Sequence, residues 1–160
     1  MADTASRPDS GDKAPDFDLP AAGMEKVKLS ALAGKPVVLF FYPKDDTSGC
    51  TAEAIDFTAA LPEFDKIGVQ VIGMSPDPVK KHDKFRDKHS LGTVLVSDEE
   101  KETLSAYGVW VEKSMYGRKY MGVERSTFLI GADGTIVKAW RKVKVPGHVA
   151  EVLEAARELA

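Results

Sequence analysis

FYPKDDTSGCTAEAIDF, residues 41–57, decides how the rest of the 160-residue chain is read, and it carries the only cysteine. Just upstream, Val37 to Tyr42 is an apolar run of β-branched and aromatic residues, the composition of a buried strand. It stops at Pro43, which can neither donate to a ladder nor continue one. Lys44 to Gly49 is polar and turn-prone. Thr47 and Ser48 are candidate helix N-caps, and beyond them Ala52, Ala54, Ile55, Ala59 and Leu61 fall at a spacing that predicts a core-facing stripe. Cys50 therefore opens a helix, where unpaired backbone N–H groups and the positive end of the macrodipole favour a thiolate. Ionising a free thiol at neutral pH gains only about 30-fold in thiolate, so a fast thiol reaction needs further groups that stabilise its transition state.

Working outward, Val69 to Met74 is a second apolar run, and Pro76 to His89 is a polar, lysine-rich helix whose lysines read as a solvated face. Strand, helix and strand make a right-handed parallel crossover, and sites in such sheets lie at the carboxyl ends of the strands, where Cys50 falls. On the N-terminal side, Met1 to Asp12 has almost nothing to bury and reads as a flexible tail. Ala14 to Leu32 reads as a small hairpin added to the core. Downstream, Thr93 to Ser97 is a short strand, and Lys101 to Tyr107 is a short helix closed by Gly108. Val109 to Gly122 is either an ordered loop or an irregular hairpin, and its aromatics, Trp110 to Tyr120, either wall a pocket or pack the core. Ser126 to Gly131 and Thr135 to Trp140 flank Asp133-Gly134, a strong hairpin signal. Val149, Val152, Leu153, Ala156 and Leu159 recur at helical spacing. If the Ser126 strand runs antiparallel to the Val37 strand, Arg125 is carried to the rim where Cys50 sits. Arg141, at the end of the last strand, could reach the same rim.

Composition narrows the classes. The hydrophobic share of 43% fits one globular domain, residues 13–160, behind the tail. A net charge of -3, from 22 basic and 25 acidic residues interspersed along the chain, argues against a nucleic-acid or anionic-membrane surface and points to small solutes as partners. There is no apolar stretch long enough to span a bilayer and no signal-peptide core at the N-terminus. With a lone thiol, this leads to the expectation of a cytoplasmic protein. His82, His89 and His148 show no metal-ligand spacing and are read as solvated or structural, so no metal and no cofactor are expected. Nothing sets one of them beside Cys50, as a Cys–His hydrolase requires, and Cys50 lacks the Cys-x-x-Cys partner of a disulfide oxidoreductase. Glu53 reads as helix-start electrostatics or a capping-box acceptor.

Pro43, Thr47 and Cys50 reproduce the Pro-x-x-x-Thr-x-x-Cys signature of peroxiredoxins, and the wider segment resembles the bacterioferritin comigratory protein, or peroxiredoxin Q, branch. The likeness runs through APDFDLP near the start, SPD at Ser75 to Asp77, YGVW at Tyr107 to Trp110, RSTFLI at Arg125 to Ile130 and WRKVKVPGH at Trp140 to His148. Together with the order of elements, it implies an α/β thioredoxin-like fold, a central mixed sheet flanked by helices. It implies a thiol-dependent peroxidase acting on hydrogen peroxide or organic hydroperoxides through a Cys50 sulfenic acid. Thr47 and Arg125 would orient the peroxide and Pro43 would shield the site. Relatives of this branch are often monomeric, which implies a monomer. Two departures stand out. Ile55 occupies the place where the branch often has a resolving cysteine, and no other cysteine exists, so the sequence resembles a one-cysteine member recycled by an external reductant: thioredoxin, glutaredoxin or a small thiol. Ser48 replaces a usual proline. The alternative is a peroxide sensor or thiol-regulated binding protein that turns over little.

Overall fold

The structure, a computed structural model, describes residues 7–159. Strand β3 (Val37–Phe41) is its centre and is buried at all five positions. Val37, Leu39 and Phe41 point into one core, and Val38 and Phe40 into a second core on the opposite face. This is why the run is apolar without alternation: both faces of the sheet are covered. β3 pairs in parallel with β4 (Gln70–Ser75), which pairs in parallel with β5 (Val94–Ser97). On its other side β3 pairs antiparallel with β8 (Ser126–Ile130), which turns back into β9 (Ile136–Trp140). Helix α1 (Ser48–Lys66) makes the crossover from β3 to β4. Helix α2 (Val79–His89) leads from β4 to β5, α3 (Glu102–Ala106) follows β5, and α4 (His148–Leu159) closes the chain. The expected strand–helix–strand and strand–strand–helix units thus share one mixed sheet.

The hairpin of β1 (Asp18–Ala22) and β2 (Lys26–Lys28) is more than an appendage. β1 also pairs antiparallel with β5, so the hairpin forms one edge of a seven-stranded sheet ordered β2-β1-β5-β4-β3-β8-β9. The Val109 to Gly122 stretch resolves into a regular two-stranded hairpin, β6 (Trp110–Met115) and β7 (Arg118–Val123). Its turn residues Tyr116 and Gly117 have φ of 53° and 77°, the two-residue geometry that keeps the twist of the flanking strands. The expected tail is anchored from Arg7 onward. Gly11 N–H donates to Ile136 O, Ile136 N–H donates to Asp12 O, and Arg7 pairs with Glu124 at 2.6 Å. Residues 1–6 and 160 lie outside the described residues.

One glycine is required by close approach. A Cβ on Gly73, in the middle of β4, would lie 2.6 Å from Phe40 Cζ and 2.9 Å from Leu95 Cδ2. The Phe40 ring that fills this space stacks on Phe57 of α1 at 4.5 Å between centroids. The bare backbone of β4 thereby sets how closely α1, and the cysteine at its start, sits on the sheet.

Candidate active site

The polypeptide leaves β3 at Tyr42 and turns through Pro43 to Thr47 before α1 begins. Thr47 holds the N-cap position with extended backbone angles, and its carbonyl accepts from Thr51 N–H at 2.8 Å. Its hydroxyl does not cap the helix; it donates to Lys44 O at 2.8 Å. Pro43 lies in the bend between strand and helix. Among the described residues, the Thr47 hydroxyl makes no hydrogen bond to Cys50. Cys50, in the first turn, is 2% exposed and belongs to the core on the α1 face of the sheet.

What separates this sulfur from an inert core cysteine is Arg125. Ser126 pairs with Phe41, so the residue before β8 stands beside the end of β3, and Val143 N–H fixes its carbonyl at 3.0 Å. The Arg125 guanidinium divides its fork. Nη2 donates to Cys50 Sγ at 3.2 Å and Nη1 donates to Glu53 Oε1 at 2.7 Å. Burial pulls the basicity of Arg125 down, but the charges of Glu53 and Cys50 outweigh it and hold the guanidinium above its ordinary range. A planar fork clamped at both ends presents fixed positive charge to the sulfur.

Glu53, expected as helix-start electrostatics or a capping-box acceptor, is instead the second partner of the Arg125 fork. It stands one turn after Cys50 on the same helix face and is fully buried. Burial raises its carboxyl to about 7, against the opposing pull of Arg125, and its Oε2 has no hydrogen-bond partner. The inward stripe of α1 is Cys50, Glu53, Ala54, Phe57 and Phe64; of the expected stripe, Ala54 is buried and Leu61 packs partly against the same core, while Ala52, Ile55 and Ala59 face outward. Ile55 is 43% exposed. Arg141 does not reach the rim. It lies over the Phe128 ring on the other face of the sheet and donates to Pro8 O and Tyr107 O.

Two histidines expected to be solvated or structural are built into the interior. His148 bonds Thr127 Oγ1 at 2.8 Å, and burial pushes its imidazole down to about 4. His82 is wholly buried, with Nδ1 at 2.6 Å from Asp45 Oδ2 and Nε2 at 3.0 Å from Val96 O. Tyr42 Oη donates to the other oxygen of Asp45, and Asp45 N–H donates to Asp77 Oδ2. The loop between β3 and α1 is thus pinned to α2 from within. Asp45, Asp77 and His82 are close enough together to hold a metal ion, within 4.8 Å of one another, although no spacing in the sequence suggests it. Their polar atoms are taken up by the bonds just described and by Ser75 Oγ and Lys81. His89, at the end of α2, meets Asp46 of the same loop at 2.8 Å.

The chain is similar to known proteins over most of its length. The family model described as AhpC/TSA matches residues 10–139. A peroxiredoxin Bcp of Bacillus subtilis is 48% identical over 150 residues, covering 94% of this chain and 96% of that protein. One from Xanthomonas campestris is 50% identical over 143 residues, covering 88% and 89%. Among solved structures, peroxiredoxin Q of Xanthomonas campestris superposes with a TM-score of 0.85 at 48% identity, over 89% of this chain and 90% of that one. A cysteine-to-serine variant of the Xylella fastidiosa protein superposes with a TM-score of 0.90 at 41% identity, over 95% and 97%.

Proposed function

The chain belongs to the AhpC/TSA family as a peroxiredoxin of the Bcp type, a thiol-dependent peroxidase, and from that premise we infer that it works through Cys50 alone. The observation that carries this is the Arg125 fork joining Cys50 Sγ to Glu53. The Cys50 thiolate attacks one peroxide oxygen, the O–O bond breaks, and the second oxygen leaves as water or alcohol, taking a proton. Cys50 becomes sulfenic acid. Arg125 stabilises the charge that moves between the two oxygens. The Thr47 hydroxyl spends its hydrogen on Lys44 O, so its lone pairs face outward to accept a peroxide O–H. Pro43 keeps bulk water from the sulfur.

A solved structure of the Xanthomonas campestris bacterioferritin comigratory protein concerns its alkyl peroxide reduction, and by that likeness organic hydroperoxides are substrates here beside hydrogen peroxide. Because this chain has one cysteine, a thiol from outside must return the sulfenic acid to thiol: a redoxin or a small thiol. Cys50 is enclosed, so part of its covering must yield when that thiol enters. No described helix is long and apolar enough to cross a membrane, and we place the monomeric protein in the cytoplasm, where small thiols are kept reduced.

A reductant panel tests this: peroxide consumption with glutathione, thioredoxin and glutaredoxin systems, for the native protein and Cys50→Ser. Many turnovers that vanish in Cys50→Ser are expected, and activity that survives the substitution discredits the site. A single stoichiometric event with every reductant favours the second reading, a peroxide sensor, which the isoleucine at 55 also suits because an unresolved sulfenate persists.

A further inference from the structure

A cleft opens at the far side of the sheet from Cys50, between β1 and α3. β1 pairs antiparallel with β5 through Ala21–Val96 and Ala22–Leu95, and that register, continued beyond the ladder, sets Leu19 beside Asp98 and Phe17 beside Glu100. Asp98 directly follows β5, at the carboxyl edge where ligands of open α/β sheets gather. Two contacts hold the walls: Tyr107 Oη donates to Pro15 O at 2.6 Å, and Leu104 N–H donates to Asp98 Oδ2 at 2.8 Å. The space between them is about 360 Å³. Asp16, Asp18, Asp98, Glu100 and Glu102 line it, and no lysine, arginine or histidine does. Asp16 is fixed by the N–H groups of Phe17 and Ser30, at 2.9 and 2.8 Å.

The nearby cations leave this charge largely unanswered. Lys101 lies over the Trp110 ring at 5.7 Å, and Lys26 makes only a loose, exposed pair with Asp18 at 3.7 Å. Lys28, whose charge Asp16 feels, is outside the lining. Asp98 is the residue that calls for a ligand. It is 1% exposed, and while Oδ2 is taken by Leu104, Oδ1 has no hydrogen-bond partner among the described residues. A carboxylate oxygen buried without a donor is costly, and a cation entering the cleft supplies the donor.

We propose that this cleft binds a linear polyamine. The spacing of the acids decides against a single metal ion, which needs several oxygens converging on one point. Among the described residues only Asp45, Asp77 and His82 bring three ligand atoms within 4.8 Å of one another, and no three of the cleft carboxylates do. Charge strung along a cleft suits ammonium groups strung along a chain. Each ammonium meets a carboxylate, and the methylene segments between them lie on the apolar surface of Phe17 and Leu19. Phe17, Leu104 and Tyr107 belong to the core opposite the one that holds Cys50, so binding here is independent of the peroxidase chemistry.

The test is isothermal titration calorimetry of the full chain with spermidine, putrescine and magnesium chloride at one ionic strength, with amide chemical shifts locating the site. Spermidine should bind about tenfold more tightly than magnesium and more tightly than putrescine, and added salt should weaken it. The shifts should cluster at Phe17 to Leu19 and Glu100 to Ala106. Glu100→Gln with Glu102→Gln should weaken spermidine by about three- to tenfold while peroxide consumption stays native. Asp98→Asn, which keeps an oxygen for Leu104 N–H, should weaken it as well; if that variant does not fold, the exposed glutamates carry the test. Magnesium binding as tightly as spermidine, shifts scattered over other acidic surfaces, or glutamine variants that bind like the native protein overturn the inference. A lysine-rich peptide that displaces spermidine at far lower concentration also overturns it, by assigning the cleft to a basic protein segment.

Discussion

Arg125 Nη2 lies 3.2 Å from Cys50 Sγ across 75 positions of sequence, and the antiparallel register that sets Ser126 against Phe41 is the reason. Replacing Arg125 by methionine leaves the sulfur without its fixed positive neighbour and Glu53 without its partner. The second-order rate of Cys50 with hydrogen peroxide, read by stopped-flow fluorescence, should fall about 10²- to 10³-fold. Arg125→Lys should recover little of it, since one ammonium cannot hold both ends of the fork.

Glu53 and His148 pull stability in opposite directions with pH. The Glu53 carboxyl is raised from 4.5 to about 7, so between those values the folded state holds a proton that the unfolded state has released. Its contribution falls as pH rises through that window, by about 3 kcal/mol at most. His148 is lowered from 6.5 to about 4, so there the unfolded state holds the extra proton. Its contribution is complete above 6.5 and is lost as pH falls toward 4, by a similar ~3 kcal/mol. In the native protein the two offset one another between pH 4.5 and 6.5. Urea unfolding across that range should show Glu53→Gln losing stability toward acid more steeply than the native protein.

Asp45 is buried and depends on His82. His82→Ala strands a carboxylate inside the protein and should cost about 3–5 kcal/mol in urea unfolding. Asp45→Asn together with His82→Ala should recover part of that loss, because the stranded charge is gone.

Gly73→Ala introduces a methyl group 2.6 Å from the Phe40 ring in a core with no room for it. The expected loss is about 1–3 kcal/mol in thermal or urea unfolding, and Phe40→Leu in the same chain should relieve part of it.

Much of this was legible in the residues, for physical reasons that can be named. The apolar run of β3, the breaker at Pro43 and the Asp133-Gly134 turn are local signals, and the antiparallel β3–β8 pair turned them into the Cys50–Arg125 contact. The hairpin at Val109 to Gly122 stayed ambiguous because its strands carry mixed residues on both faces, several of them exposed, so neither period stands out. Glu53 escaped because hydrophobic periodicity sorts carboxylates outward, and this one is turned inward by a partner 72 positions away. A glutamate one turn after the cysteine, on the same side of the helix, was the available signal. His82 and Asp45 meet across 37 positions and have no local signature. Strand parity settles Arg141: Trp140 packs with the α1-side core, so the next residue points to the other face.

The exposed Ile55 has an engineering consequence. Five residues along an α-helix is a turn of roughly 140° beyond one full revolution, so positions 50 and 55 look away from each other, one at 2% exposure and the other at 43%. Admitting a thiol from outside asks only that side chains and a loop move aside. Writing a cysteine in at 55 would instead tie each bridge to the melting of the opening turns of α1, and the bridge would still need a reductant from outside to reopen. With isoleucine there, no such bridge can close within the chain.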